Sequence, residues 1–404
     1  MIKREGYMKR IRPFIGNELI KVLTGIRRSG KSVMLELIKD ELRQQGIPET
    51  QFITFNFESL ANAKYRTAEA LYEELSKRIS EISGKSYLFF DEIQEVENWE
   101  RCVNSARVDF DCDIYITGSN AKLLSGELAT YLGGRYVEFV IYPFSFEEYL
   151  ECRKQSGEQL SHADEFKKYI DFGGMPFLAN LNGDRSASMQ YLRDIYSSVV
   201  LKDVVKRNNI RDVDLLERII TYLLANVGHT FSARSISNYF KSENRKVAPE
   251  TVLNYIKACC DAYLFFKLNR EDIQGKKILS VNEKYYIVDH GIREAIYGGN
   301  TRDMDQLLEN LVCMELIRRG FTVTIGKSGE KEVDFVAQCG NEKVYIQVCY
   351  LLSSKETIDR EFGAYIAIRD NYPKYVVSMD EFDMSRDGIK HRNIRDFLLA
   401  EAWN

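Results

Sequence analysis

Residues 25–32 read Gly-Ile-Arg-Arg-Ser-Gly-Lys-Ser, and no other segment limits the possible folds of this chain so sharply. Ahead of them, residues 19–24 form a short apolar run of strand length; behind them, residues 33–42 place apolar side chains at helical spacing. A Gly-x-x-x-x-Gly-Lys-Ser run between a strand and a helix is the pattern of a phosphate-cradling loop. Gly25 and Gly30 permit dihedrals and a close main-chain approach that a Cβ would block, so successive N–H groups can turn toward an anion. A helix starting near Lys31 adds its partial positive charge. On this pattern Lys31 reaches the terminal phosphates of a nucleotide and Ser32 ligates Mg²⁺, while Gly25, Arg28, Ser29, Gly30 and Val33 line the cradle. The plainer alternative is a chance glycine-rich turn, and a second motif downstream weighs against it.

That second motif is Ser86-Tyr87-Leu88-Phe89-Phe90-Asp91-Glu92. Apolar residues ending in adjacent carboxyls read as a buried parallel strand whose C-terminal end opens at the ligand crevice of an α/β sheet. Asp91 there is suited to hold the water shell of Mg²⁺, an ion that dehydrates reluctantly. Glu92 is the base expected to orient or activate an attacking water. A strand that merely ends in a solvated acidic turn is the alternative. A third strand over residues 114–117 leads into Gly118-Ser119-Asn120, where Asn120 either senses the terminal phosphate or caps a helix over residues 121–124. Arg135, following Leu132-Gly133-Gly134, either neutralises transition-state charge, in its own site or a neighbour's, or is an ordinary surface arginine.

Composition supports a folded chain. With 404 residues, 45% hydrophobic and 29% charged, it has material for two or three domains and is not disordered throughout. The 56 Lys and Arg nearly balance 60 Asp and Glu, so no overall basic charge argues for nucleic acid. No apolar run approaches the ~20 residues that cross a bilayer, and the basic N-terminus lacks the apolar stretch of a secretory signal. Eight cysteines form no Cys-x-x-Cys pair and only four histidines are present, so a structural zinc site is not expected. Scattered thiols fit a reducing compartment, and the expected location is the cytoplasm.

Taken in order, residues 25–32, Phe90-Asp91-Glu92-Ile93-Gln94, Thr117-Gly118-Ser119-Asn120, Gly134-Arg135 and Tyr142-Pro143-Phe144-Ser145 resemble a prokaryotic family of AAA-like, STAND-related P-loop ATPases. The family joins an AAA-type domain to a C-terminal domain of unknown function with nuclease-like features, and the resemblance spans essentially the whole chain. It implies ATP and Mg²⁺ as cofactors, Lys31 and Ser32 at the phosphates and metal, Asp91 and Glu92 as the acidic pair, Asn120 as sensor and Arg135 as a phosphate-sensing or finger arginine. Gly173-Gly174-Met175-Pro176 resembles the element that closes the adenine pocket in STAND-type ATPases, which makes Pro176 an adenine contact. Without the family, those four residues read as a turn.

The second half changes pattern. Residues 215–224, 232–240 and 249–258 read as short helices, with Ser232 capping the second and Pro249 in the first turn of the third. Residues 265–268 and 277–279 read as a hairpin around Gly275. Three helices and a hairpin form the order of a winged helix. Residues 206–294 carry 15 Lys and Arg against 11 Asp and Glu, a mild excess. Lys241, Arg245 and Lys246 are placed for DNA phosphates, while Cys259, Cys260, Tyr263, Leu264 and Phe265 favour packing against protein. Beyond them, a helix over 305–316 and strands over 321–325, 332–336 and 343–350 resemble a PD-(D/E)xK nuclease. Glu309 and Asp334 occupy its first two acidic places, but the third reads Gln347-Val348-Cys349. A neutral amide and a thiol in place of carboxylate and lysine would cripple Mg²⁺-dependent phosphodiester cleavage. An α/β domain unrelated to nucleases is the alternative.

The expected architecture is therefore α/β. A P-loop NTPase parallel sheet with helices on both faces fills residues 1–205, including a helical extension from about 145. A winged helix follows over 206–300 and an inactive nuclease-like domain over 301–404. The expected activity is Mg²⁺-dependent ATP hydrolysis that repositions the later domains. The rivals are an ATP-gated DNA-binding or nuclease protein and a slow nucleotide-operated interaction switch, with a protein partner or a homo-oligomer and no membrane.

Overall fold

β1 (Ile20–Thr24) is buried at every position, and its two faces account for the layers around it. The computed structural model describes residues 2–121, 132–155, 161–243, 245–273, 275 and 277–403, so the helix expected after Asn120 lies outside the described residues beyond Ala121. The chain divides into two units, one holding the residues up to Tyr142 together with Asp261–Tyr263, the other Pro143–Cys260 and everything from Leu264 onward.

In the first unit, α1 (Glu5–Ile11) precedes β1; α2 (Lys31–Gln44), β2 (Phe52–Asn56), α3 (Ala68–Ser80), β3 (Ser86–Asp91), α4 (Trp99–Asp109), β4 (Cys112–Thr117) and β5 (Tyr136–Val140) follow. The strands lie in the order β2-β3-β4-β1-β5, all parallel. Helices cover both faces, which is why β3 and β4 read as continuous apolar runs rather than alternating ones. On one face Ile20, Val22, Leu88, Phe90 and Ile116 pack with Leu71 and Leu75 of α3 and Val103 and Ala106 of α4. On the other, α2 lies across the sheet, its Lys39 ammonium 5.0 Å from the centre of the Phe89 ring.

The second unit begins with α5 (Phe146–Gln155), α6 (His162–Phe172), α7 (Arg185–Ser198) and a π-helical stretch (Val199–Lys206). α8 (Val213–Ala225), α9 (Ala233–Ser242) and α10 (Pro249–Asp261) lead to the antiparallel pair β6 (Phe265–Asp272) and β7 (Lys277–Ile287). Ser232 caps α9 through its hydroxyl, which accepts the Ser235 N–H at 3.3 Å. α11 (His290–Ile296), α12 (Met304–Arg318), β8 (Thr322–Ser328), β9 (Lys331–Cys339), β10 (Glu342–Val348), α13 (Lys355–Gly363), β11 (Lys374–Ser378), β12 (Lys390–Asn393) and α14 (Ile394–Leu399) complete it.

Two boundaries differ from the sequence expectation. The sheet of the second unit runs β12-β11-β10-β9-β8-β6-β7, so the hairpin expected to end a separate domain at 300 continues directly into the C-terminal strands. β6 lies parallel to β8, with Arg270 opposite Ile325 and Asp272 opposite Lys327. Gly326 permits the close approach, since a Cβ there would stand 2.7 Å from Ile273 and 2.8 Å from Val336. Residues from 143, expected to extend the first domain, group with the second unit instead. Phe144 N–H donates to Gly174 O at 2.7 Å, and Gly174 N–H donates to the Asp289 carboxyl at 2.7 Å. Pairing between segments more than a hundred residues apart leaves no mark on local periodicity, which is why neither join was legible.

Candidate functional site

The expected phosphate loop sits at the C-terminal end of β1. Gly25 has φ +134° and a Cβ there would lie 2.2 Å from Ile141 O, so the loop leaves the strand along a path only glycine permits. Gly30, at φ 100°, opens α2, and Arg28 is left-handed at φ 67°. Lys31 is buried, its ammonium donating to Gly25 O at 3.0 Å and Ile26 O at 3.1 Å and lying 3.9 Å from Glu92 Oε1. Ser32 and Val33, in the first turn of α2, are exposed. The Ser29 hydroxyl is buried without a hydrogen-bond partner among the described residues, a polar group that an anion in the loop would satisfy.

β3 delivers the acidic pair to the same rim. Asp91 accepts the Thr117 hydroxyl at 2.6 Å and the Asn56 amide at 3.2 Å. Burial pushes its carboxyl above the ordinary aspartate range, opposed by hydrogen bonds from Thr117 and Ser32. Ser32 and Asp91 are therefore neighbours, and hydroxyl plus carboxylate is a hard-oxygen pair that suits Mg²⁺. Glu92 is left-handed at φ 54°, its N–H donates to Thr117 Oγ1 at 2.8 Å, and Gln94 donates to its carboxyl. A non-glycine residue held in this region costs of order 1 kcal/mol or more, and such outliers concentrate at functional sites.

Asn120 follows the end of β4 at the same rim of the sheet, and Arg135 does not. Asn120 is fully buried three residues past β4. Arg135 lies at the opposite rim: its carbonyl accepts the N–H of Ile20, where β1 begins, and its guanidinium donates to Asn104 at 3.1 Å. Four strand residues at ~3.3 Å each separate that end from the phosphate loop, so of the alternatives open for Arg135, a neighbour's site and an ordinary surface arginine remain. The physical reason is direction: a parallel strand entered at Tyr136 starts at the sheet's far edge. Pro176 opens a short 3₁₀ turn in the second unit. The preceding glycines are required by close packing, since a Cβ on Gly173 would meet Asp289 at 2.4 Å and one on Gly174 would meet Phe144 O at 2.3 Å.

Three residues of the site escaped sequence reasoning. Thr117 and Asn56 are strand-end polar residues whose importance follows from the parallel register that puts β2, β3 and β4 ends side by side. Arg4 is almost wholly buried, donates to Ser29 O at 2.9 Å and Tyr142 O at 2.8 Å, and stacks on Tyr7 at 4.5 Å. A loop that turns its N–H groups inward presents carbonyls outward, and Arg4 satisfies the one at Ser29. A lone arginine far ahead of the loop in sequence gave no signal for this.

In the second unit Glu309, Asp334 and Gln347 do converge, but Lys284 of β7 stands among them, 3.2 Å from Glu309 Oε1 and 2.9 Å from Glu332 Oε1. The Gln347 side-chain oxygen accepts the Asp334 N–H at 3.1 Å. Arg245, expected at DNA phosphates, is paired instead with Asp212 and Asp214, each at 2.6 Å.

A five-stranded parallel sheet with a glycine-bounded loop after an inner strand and an acidic pair on the same rim defines a P-loop nucleotide-binding ATPase fold. Comparison with known proteins agrees. Residues 17–150 match the family described as AAA domain, and residues 163–303 match a domain of unknown function (DUF8612). An uncharacterised protein of Haemophilus influenzae is 37% identical over 99% of both chains, and one of Methanocaldococcus jannaschii is 35% identical over 87% of this chain and 79% of its own. The Walker-type ATPase PABY2304 of Pyrococcus abyssi has the same fold, with TM-score 0.51, 16% identity, and 73% of this chain and 95% of that one covered. The chain belongs to the AAA-type P-loop ATPase family that includes these two prokaryotic relatives. Among the described residues, no helix is long and apolar enough to cross a membrane.

Proposed function

We propose that the chain is a Mg²⁺-dependent ATPase of the cytoplasm whose nucleotide state governs the placement of its second unit. The observation that carries this is the buried Asp91–Glu92 pair, set by Thr117 beside Lys31 and Ser32. In this reading the loop N–H groups and the Lys31 ammonium grip the phosphate tail, releasing Lys31 from the loop carbonyls it now holds. Ser32 and Asp91 hold the metal. Bound Mg²⁺ would neutralise charge developing on the phosphoryl oxygens. Glu92 orients a water and takes its proton, while Gln94 restrains the Glu92 carboxyl. Steady-state ATPase and fluorescent-nucleotide binding test the proposal. Lys31→Ala should weaken binding ~100-fold, about 2.7 kcal/mol. Glu92→Gln should keep binding and lower turnover by roughly 10²–10⁴. Unchanged turnover in both variants would sink it.

A second reading, DNA binding by the three helices and hairpin, draws on one observation. Arg234, Lys241, Lys246 and Lys257, on and between α9 and α10, are exposed and have no acidic partner among the described residues. A mobility shift whose log affinity falls with log salt, with a slope reduced by about one unit for Lys246→Ala and again for Lys257→Ala, would support it. No shift at low salt would remove it.

A further inference from the structure

The acidic cluster of the second unit already holds a cation of its own. Glu309 from α12 and Glu332 and Asp334 from β9 gather where a nuclease of this helix-and-meander order assembles its divalent ion. Lys284 reaches into that place from β7 and pairs with both Glu309 and Glu332. The acid oxygens around it have other donors too. The Tyr286 hydroxyl donates to Glu309 Oε1 at 2.6 Å, Arg270 holds the second Glu332 oxygen at 2.7 Å, and Asp334 Oδ2 accepts the Val348 N–H at 2.8 Å. Among the described residues, no three His, Cys, Asp or Glu side chains stand close enough to share a metal ion. The divalent ion that the fold implies therefore does not fit these residues.

We infer that Lys284 is a tethered cation that has taken the metal's place, closing this site to divalent ions and to metal-dependent phosphodiester cleavage. The inference rests on these contacts and not on the ATPase reading. Mg²⁺ keeps much of its water shell and is held through one or two carboxylates, whose oxygens must be free to face it. Here Glu309 Oε1, both Glu332 oxygens and Asp334 Oδ2 are taken by an ammonium, a guanidinium, a phenol and a main-chain N–H. A covalently attached ammonium also needs no free ion to be captured and ordered, so it competes at high effective concentration. Electrostatics agree with the contacts. Burial works against the Lys284 charge, but Glu309, Asp334 and Glu332 outweigh it and hold the ammonium above the usual lysine range. Burial, then the neighbouring Glu309, pushes the Asp334 carboxyl well above its usual range, opposed by the Lys284 ammonium and the Val348 N–H. Gly228 leaves room for this arrangement, since a Cβ there would press on the Glu309 carboxyl at 3.1 Å.

The test is a Mn²⁺ titration of nucleotide-free protein followed by electron paramagnetic resonance. Each titration is repeated with Glu309→Gln, so that any ion held by Asp91 and Ser32 is subtracted. Wild type and Gln347→Glu should show no Glu309-dependent binding. The double variant Lys284→Ala/Gln347→Glu, with the ammonium removed and the third carboxylate restored, should gain a Glu309-dependent site at least tenfold tighter than any in wild type. Glu309-dependent binding in wild type overturns the inference, as does equal binding by Gln347→Glu alone and the double variant. A folded double variant that binds nothing overturns it as well. If the double variant does not fold, wild type decides: Glu309-dependent Mn²⁺ binding refutes the inference, and its absence with a melting temperature unmoved by EDTA upholds it. Mn²⁺-dependent nicking by wild type that Lys284→Ala loses would make the ammonium a participant in cleavage and also refute it.

Discussion

Thr117 donates to Asp91 and accepts from the Glu92 N–H, so one hydroxyl organises both members of the acidic pair. Thr117→Val keeps the shape and removes both bonds, leaving a buried N–H and a carboxyl oxygen unsatisfied. A loss of ~1–3 kcal/mol of unfolding free energy is expected, read from a lowered denaturant midpoint, with weaker Mg²⁺-dependent nucleotide binding; Thr117→Ser should restore both. Arg4 acts at the same scale. Arg4→Ala removes the donor that fixes Ser29 O, and the expected result is a nucleotide KM raised ~10-fold with turnover at saturation little changed, because ligand must now order the loop. Equal KM values would assign Arg4 to fold stability alone. Asp91 carries a pH signature. Its folded pKa is raised, so its contribution to stability is present below the ordinary aspartate value and is lost as pH rises through the raised one. Mg²⁺ requires the ionised form, so Mg²⁺-dependent binding should fail on acidification at a higher pH than an ordinary aspartate would give. Asp91→Asn should bind weakly at every pH and lose that inflection.

At the scale of elements, the parallel pairing of β6 with β8 makes one sheet from segments that sequence order separates. A chain ended at Asn300 strands β6 at an exposed edge and strips β8 to β12 from it, so it should aggregate rather than yield a folded three-helix unit. A sharp amide spectrum from residues 143–300 alone would contradict this. Lys284 joins the same elements electrostatically, linking β7 to α12 and β9. Removing one partner of a buried ion pair costs ~3–5 kcal/mol, so Lys284→Met should sharply lower the melting temperature of the second unit. Its raised pKa means that the ammonium's contribution is fully present below the ordinary lysine value and is lost only as pH rises beyond it.

For the whole molecule, two units with separate cores predict two thermal transitions, of which MgATP should raise only the one belonging to the residues up to Tyr142. At a ligand concentration of 100 Kd the stabilisation is about 2.7 kcal/mol. Calorimetry with and without MgATP checks this, and an equal upward shift of both transitions would contradict it. What the sequence by itself determined was local. Residues 25–32 and 86–92 carry their chemistry within eight residues, because a glycine-bounded loop and a buried strand ending in acids are set by neighbours in the chain. The helices of the second half were legible for the same reason, through periodicity, a serine cap and a proline in a first turn. Only the tertiary structure decided that Thr117 organises the acidic pair and Arg4 holds the phosphate loop, that Arg135 stands at the rim opposite that loop, that the hairpin joins the C-terminal sheet, and that Lys284 fills the acidic cluster. Each of these depends on strand order, register or a buried charge finding partners far along the chain, and long-range pairing is chosen by the packing of the whole rather than by any short run of residues.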